Sequence, residues 1–209
     1  MKIGIIGTGN VGGNLGSQWS AKGHEVVFGT RYPNSDKINH LLAPLGSNVS
    51  ARNIRQAAGF GDVVVIAVPW SAVPDVLRQA GDLSGKVVID ATNALKREDG
   101  PVALLETSAA EEIAKLVPGA KVVKAFNYIG AEHLIDSQFG ENRIDAYMAG
   151  DDHEAKDIVS SLAEELGFEA VDVGPLRNAK HLEGLAILWI HMASQGGFGR
   201  DIAFKLLRH

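Results

Sequence analysis

The chain of 209 residues carries 20 Lys and Arg against 25 Asp and Glu, a net charge of −5, and has no cysteine. An acidic balance does not suit a phosphate backbone, so nucleic acid is not expected as a partner, and the missing thiols exclude a disulfide framework and thiolate metal ligation. With 45% apolar and 22% charged residues the composition is that of a globular chain with a core, and no apolar run approaches the ~18 residues of a membrane span, so a cytoplasmic protein without a membrane partner is expected.

Short β-branched runs at 2–6, 25–28, 62–68, 86–90, 121–126, 143–148 and 168–173 read as strands. Between them lie segments of helical spacing, such as Val11/Leu15/Trp19, Val73/Val76/Leu77, Ile113/Leu116/Val117 and Ile158/Leu162/Leu166. This alternation predicts an α/β chain of Rossmann type, with a doubly wound, mostly parallel sheet and helices on both faces. The strands are apolar at nearly every position, as burial on both faces requires; Val63-Val64-Val65-Ile66-Ala67-Val68 is the clearest case. Near Gly130 the texture changes. Residues 1–130 are expected to form a nucleotide-binding domain. Residues 131–209 are expected to form a small C-terminal helical lobe that closes a cleft: one strand–helix–strand unit, then a helical tail from Leu176 interrupted at Gly196-Gly197-Phe198-Gly199. The tail repeats Leu182, Leu185, Leu188/Trp189 and Met192 on one face. That face suits either a homodimer, with Trp189 and Phe198 as anchors, or the chain's own nucleotide domain.

Gly7-Thr8-Gly9-Asn10-Val11-Gly12 is a G-x-G-x-x-G at the junction of the first strand and first helix. Gly7 permits the tight turn, Gly9 clears the approach of backbone to a pyrophosphate, and Gly12 lets helix pack on strand. The helix start adds free N–H groups and partial positive charge. The end of the second strand selects between dinucleotides: a carboxylate there holds the ribose hydroxyls of NAD, whereas an arginine accommodates the 2′-phosphate of NADP. Here Thr30 and Arg31 stand without a carboxylate at the strand end, with Lys37 near, so NADP is expected. Ligands of open α/β sheets lie beyond the carboxyl ends of the strands, which makes Val68-Pro69-Trp70, Thr92-Asn93 and Asn127-Tyr128-Ile129-Gly130 candidates for the nicotinamide end.

Hydride transfer needs two carbons held face to face in a dry site, and a carbonyl acceptor also needs an acid. His133 follows the strand at 121–126 within reach of such a site. His191 reads as a packed core residue, and Lys180 and His181 as polar residues opening the tail helix. The seven histidines are scattered and form no metal-binding spacing, so no metal is expected.

The glycine motif, Thr30-Arg31, Val68-Pro69-Trp70, Asp90-Ala91-Thr92-Asn93, Lys124-Ala125-Phe126-Asn127, Ala149-Gly150-Asp151-Asp152, Asp172-Val173-Gly174-Pro175-Leu176 and Gly197-Phe198-Gly199 occur in order. This set resembles the family of NADPH-dependent reductases of the deazaflavin coenzyme F420, over essentially the whole chain. The resemblance implies that Thr8, Gly9, Asn10 and Val11 cradle pyrophosphate, that Thr30, Arg31 and Lys37 hold the 2′-phosphate, and that Pro69, Trp70, Ile129 and Ala131 flank the nicotinamide. It implies direct hydride transfer between nicotinamide and deazaflavin in a cleft between the two lobes. One departure is Asn127, where some relatives carry a histidine close to the acceptor. The nucleotide domain is also similar to those of pyrroline-carboxylate reductases and transmembrane ferric reductases. An NADPH-dependent reductase of a small imine, carbonyl or flavin therefore stands as an alternative, and a non-catalytic NADP sensor as another. Asn127 and His133 are the candidate side chains nearest the chemistry, and Arg177, Lys180, Arg200, Lys205 and Arg208 are the charges available to an anionic acceptor.

Overall fold

The computed structural model describes residues 1–97, 100–104 and 106–207. The elements run β1 (Lys2–Ile6), α1 (Asn10–Ala21), β2 (Glu25–Gly29), α2 (Asp36–Leu42), β3 (Val49–Arg52), α3 (Ile54–Phe60), β4 (Val63–Ile66), α4 (Val73–Ala80) and β5 (Val87–Asp90). They continue with β6 (Leu95–Arg97), β7 (Pro101–Ala103), α5 (Ala109–Leu116), β8 (Lys121–Lys124), β9 (Gln138–Phe139), β10 (Asn142–Arg143), β11 (Asp145–Gly150), α6 (His153–Glu165), β12 (Glu169–Asp172) and α7 (Ala179–Ser194).

Among the described residues one eight-stranded sheet has the order β3-β2-β1-β4-β5-β8-β11-β12, with β6–β7 and β9–β10 as separate hairpins. Every pairing in the large sheet is parallel except β11 against β8. The chain leaves β1 toward one edge through β2 and β3, then returns to build β4 on the other side. This reversal opens a crevice at the carboxyl ends of β1 and β4, where α/β sheets take their ligands.

Alternate strand residues feed two cores. Ile3, Ile5, Val63, Val65, Ile89 and Val123 pack beneath Leu15 and Trp19 of α1 and Val159 and Leu162 of α6. Ile6, Val64, Ile66, Val88 and Val122 face Ile54 and Ala57 of α3, Val73 and Leu77 of α4, and Ile113 of α5. The doubly wound, mostly parallel arrangement predicted from the uniformly apolar strands is therefore present. Short polar caps begin three of the helices: Asn53 accepts from the Gln56 N–H, Ser108 from Glu111 and Asp152 from Ala155, each satisfying a free amide of the first turn.

The strand–helix–strand unit after residue 130 extends the same sheet. α7 then lies across it, burying Leu182, Ala186 and Trp189. Beyond Ser194 the described chain forms no helix. Residues 200–207 run back along the molecule, with Trp189 Nε1 donating to the Ile202 carbonyl at 2.9 Å and Lys205 bonding Asp145 at 2.8 Å.

Several expectations are corrected. The strand predicted at 62–68 stops at Ile66 and that at 121–126 stops at Lys124, in both cases where the chain turns into the crevice. The strand expected at 143–148 begins at Asp145 and runs to Gly150, because Asn142–Arg143 closes a hairpin instead. β3, α2 and α3 went unseen; β3 is a short, half-polar strand at the sheet edge, where the apolar signal is weakest. The tail helix does not resume after the glycines. Trp189, expected as a candidate interface anchor, is 6% exposed and packed within the chain, while Leu188 and Phe198 stay exposed. His191, read as a core residue, is on the solvent side of α7. No helix among the described residues is long and apolar enough to cross a membrane, and these residues contain no group of three His, Asp or Glu able to hold a metal ion.

Candidate functional site

β1 ends at Ile6, and Gly7 takes a φ of +120°, a region that side chains rarely enter. A Cβ at Gly7 would lie 2.3 Å from the Ala67 carbonyl oxygen, and one at Gly12 would lie 2.3 Å from the Gly7 carbonyl oxygen. Both glycines therefore serve close packing of turn, helix and neighbouring strand. Gly9 differs. It is exposed, has an ordinary φ of −81° as the N-cap of α1, and a Cβ there would touch nothing within 4 Å. Its missing side chain is not required by the fold, so the open face suits close approach by a ligand. α1 has no acidic residue in its first turn, which leaves the positive end of its dipole for an incoming anion. Gly9→Ala is expected to melt within about 1 °C of the parent chain, since exposed substitutions of this kind cost little. It should nonetheless lose roughly tenfold or more in dinucleotide affinity by calorimetry, whereas Gly12→Ala should lower the melting temperature itself.

A cavity of about 390 Å³ opens beside this turn, lined by Gly7, Thr8, Gly9, Thr30, Arg31, Lys37, Val68 and Pro69 among others. Arg31, just beyond β2, and Lys37, in the first turn of α2, are both exposed, so two cations stand at this cavity. The carboxylate at the rim, Asp75, is engaged by Arg78 at 2.7 Å and by Gln79 at 2.7 Å. The electrostatics of the β2 end thus favour an anionic group over bare ribose hydroxyls.

On the far side of the glycine turn a second cavity of about 270 Å³ is lined by Asn10, Val11, Asn127, Ile129, Ala131, Ala186, Trp189 and Arg200. Through Trp189, Ile190 and Arg200 it adjoins a groove of about 450 Å³ that includes Pro101, Ala193 and Gln195. α1 fixes one wall of the cavity: Asn14 Nδ2 donates to the Ala131 carbonyl at 2.7 Å. Phe126 shapes another. Its φ of +63° is the one left-handed value at a non-glycine among the described residues and costs on the order of 1–2 kcal/mol. Edge-to-face contacts with Trp19 at 5.9 Å and Phe168 at 6.2 Å hold the ring in the core, and the turn places Asn127 at the cavity wall. Arg200 is held by both carboxylate oxygens of Glu132 and lies 5.1 Å from the Trp189 ring. This pairing keeps the Glu132 carboxyl below its usual range.

Beneath the two strand exits lies a buried charge cluster that sequence reasoning did not assign. Lys124 Nζ, fully buried, donates to Asp90 Oδ2 at 2.8 Å, to the Thr92 carbonyl at 2.6 Å and to Glu183 Oε1 at 2.8 Å. Glu183 Oε1 also accepts from the Ala109 N–H at 2.7 Å. The cluster joins β5, β8, the start of α5 and α7. Burial pushes the Glu183 carboxyl up against the pull of Lys124. A Lys inside one predicted strand, an Asp at the end of another and a lone Glu on the apolar face of the tail helix were the available signals.

Gly7, Thr8, Gly9, Thr30, Arg31, Lys37, Val68 and Pro69 gather at one cavity, and Asn10, Val11, Asn127, Ile129 and Ala131 at the other. Gly12 packs behind the turn. Trp70 begins a short 3-10 turn and packs against the core beside α4, outside both cavities. Asn93 lies one layer below, its Nδ2 bonded to the Asn127 carbonyl at 2.8 Å. His133 is turned toward Phe139, with ring centroids 5.5 Å apart, and lies 3.5 Å from Asp201 rather than in the Asn127 cavity. Of the tail charges, Arg200 lines the groove and the Asn127 cavity, Lys205 is paired with Asp145 and Glu169, and Arg177 and Lys180 are exposed near the start of α7. Arg208 lies outside the described residues.

Residues 2–94 match the model of the family described as NADP oxidoreductase, coenzyme F420-dependent. Over that stretch, which is less than half of the chain, the sequence is similar to this oxidoreductase family. The likeness in structure extends further: a protein of Arthrobacter sp. FB24 described as a candidate F420-dependent NADP-reductase superposes over 100% of both chains, with a TM-score of 0.90 and 29% identity. The chain is also 32% identical over 186 residues to the metalloreductase STEAP3 of Rattus norvegicus. That match takes in 89% of this chain but 36% of the rat protein, so the chain spans little more than a third of the length of that curated relative. A reductive aminase of Aspergillus terreus, 19% identical with a TM-score of 0.67 over 94% of this chain and 63% of its own, shares the fold.

Proposed function

We propose that the chain binds NADPH and carries hydride between it and a second ring cofactor of the deazaflavin F420 type, as an enzyme of the family matched over residues 2–94. One observation favours this reading above others. The described residues lining the Asn127 cavity and the adjoining groove include no Asp, Glu, His or Lys. Their one phenol, Tyr128, is spent elsewhere, donating to the Asp145 carbonyl at 2.6 Å and accepting from the Tyr147 N–H at 2.7 Å. Burial raises that phenol well above its ordinary range, away from proton transfer near neutrality. A site without an acid suits transfer between two rings and does not suit reduction of a carbonyl to an alkoxide.

Bound NADPH supplies the hydride. Thr8, Gly9, Asn10 and Val11 would hold its pyrophosphate on the free amides of α1, and Thr30, Arg31 and Lys37 its 2′-phosphate. Val68, Pro69, Ile129 and Ala131 would flank the nicotinamide, with Trp70 and Asn93 supporting from behind. Residues 1–130 contribute the nucleotide side and residues 131–209 the opposite wall, with the Trp189 ring and the apolar stretch of α7 excluding water from the transfer. Arg200, which has donors left over from Glu132, is placed to meet an acidic substituent of the acceptor.

Stopped-flow oxidation of bound NADPH against a panel of acceptors tests this. Rapid oxidation by the deazaflavin, with little by imines or carbonyls, is the expected result. The same acid-free lining also suits a second reading, in which a flavin takes the hydride; turnover with flavin alone would select it. Tight NADPH binding with no turnover by any acceptor would make the chain a sensor.

A further inference from the structure

Asn127 is 8% exposed and lines the second cavity. Its amide has an orientation that the surrounding groups dictate. Nδ2 donates both hydrogens, to the Leu182 carbonyl at 3.0 Å and to Asn93 Oδ1 at 2.8 Å. A backbone carbonyl can only accept, so turning the amide over would set oxygen against oxygen at Leu182. Asn93 cannot turn to compensate, because its own Nδ2 is committed to the Asn127 carbonyl at 2.8 Å. The two amides and the α7 carbonyl lock each other. The consequence is that Asn127 Oδ1 has no hydrogen-bond partner among the described residues. A buried acceptor left unpaired is costly, and such groups in native proteins call for an explanation.

The remaining wall of the cavity says where the missing donor comes from. Asn10 and Val11, at the start of α1, line the same space, and Ile129 and Ala131 present apolar surface. On the proposed function, a dinucleotide whose pyrophosphate rests on α1 would bring its nicotinamide end to this cavity, at whose wall Asn127 stands. That end carries a carboxamide with two N–H donors.

We propose that Asn127 Oδ1 accepts a hydrogen bond from the carboxamide N–H of the nicotinamide and so fixes which way the ring is turned. This rests on the reading of the chain as an NADPH-binding protein. Asn93 and Leu182 are positioning groups: they fix the orientation of the amide at the cavity wall without touching the ligand. Glu183, next to Leu182, pins α7 to Lys124, so the locked amide is tied to the buried cluster.

The test is binding, measured by titration calorimetry with NADPH and with its acetylpyridine analogue, in which a methyl ketone replaces the carboxamide and no N–H remains. The parent chain should prefer NADPH by roughly tenfold, the worth of one neutral hydrogen bond to a buried acceptor. In Asn127→Ala that preference should fall to about one, through lost NADPH affinity with the analogue little changed. Asn127→Ser, whose hydroxyl keeps a donor for Leu182, serves the same comparison should the alanine form not fold. An unchanged preference in a folded variant, or none in the parent chain, overturns the assignment. Failure of every form to bind NADPH would instead overturn the function proposed above.

Discussion

Arg31→Glu is expected to weaken NADPH binding by roughly a hundredfold while changing NADH binding by no more than about threefold. The guanidinium stands at the end of β2 beside Lys37 and Thr30, and no carboxylate occupies the strand end. A charge-assisted hydrogen bond of this kind contributes about 1.5–3 kcal/mol, and each 1.4 kcal/mol is tenfold in affinity. Glutamate removes that contribution and adds repulsion toward a phosphate. With NADH there is no phosphate to lose, and a carboxylate at this place can take up the ribose hydroxyls. Parallel titrations with the two nucleotides measure the ratio. Equal losses for both would refute the assignment of the 2′-phosphate to Arg31.

Lys124→Met is expected to be the most damaging single change to stability. Methionine fills much of the lysine volume, so the effect is chiefly electrostatic. It leaves Asp90, which is fully buried, and Glu183, which is 6% exposed, facing each other without a cation. Breaking a buried ion pair by removing one partner costs about 3–5 kcal/mol. In a chain of this size each kcal/mol lowers the melting temperature by about 2–4 °C, so a fall on the order of 10 °C is expected. Calorimetric melts of the ligand-free protein provide the measurement. Adding Asp90→Asn and Glu183→Gln to the same chain should recover much of the loss, since neutral groups no longer need the lysine. A triple variant no more stable than Lys124→Met would show that shape rather than charge holds this region together.

The sheet was legible because its strands are buried on both faces. Val63-Val64-Val65-Ile66 has no polar alternative, and the glycine turn after β1 announces the crevice. β3 was not legible, because Val49–Arg52 is half-exposed at the edge and its pairing with β2 comes from the fold rather than from its own composition. At the candidate site, residues 7–11 and 30–31, adjacent in sequence, reach the cavities by local geometry alone. Groups assembled across the chain were not. The Lys124, Asp90 and Glu183 cluster joins residues 34 and 59 positions apart, and no spacing rule links them. The place of His133 was not legible for a related reason. It follows β8 closely enough to reach the cleft, but the turn at 131–134 carries its ring to the hairpin and Phe139.

The continuous sheet governs how a ligand can come and go. β11 is hydrogen-bonded directly to β8, and Glu183 is anchored on Lys124, so the two walls share one rigid frame. A clamshell rotation of one half against the other would have to tear strand pairing and expose buried charge. On the proposed function, exchange of bound molecules would fall to solvent-side groups such as Arg200 with its partner Glu132, whose side chains are roughly half-exposed at 58% and 49%. Such swings take nanoseconds rather than the microseconds to milliseconds of hinged closure. Residence time at this cleft should accordingly be governed by contacts at its threshold, and salt that loosens the Arg200–Glu132 pair should quicken departure.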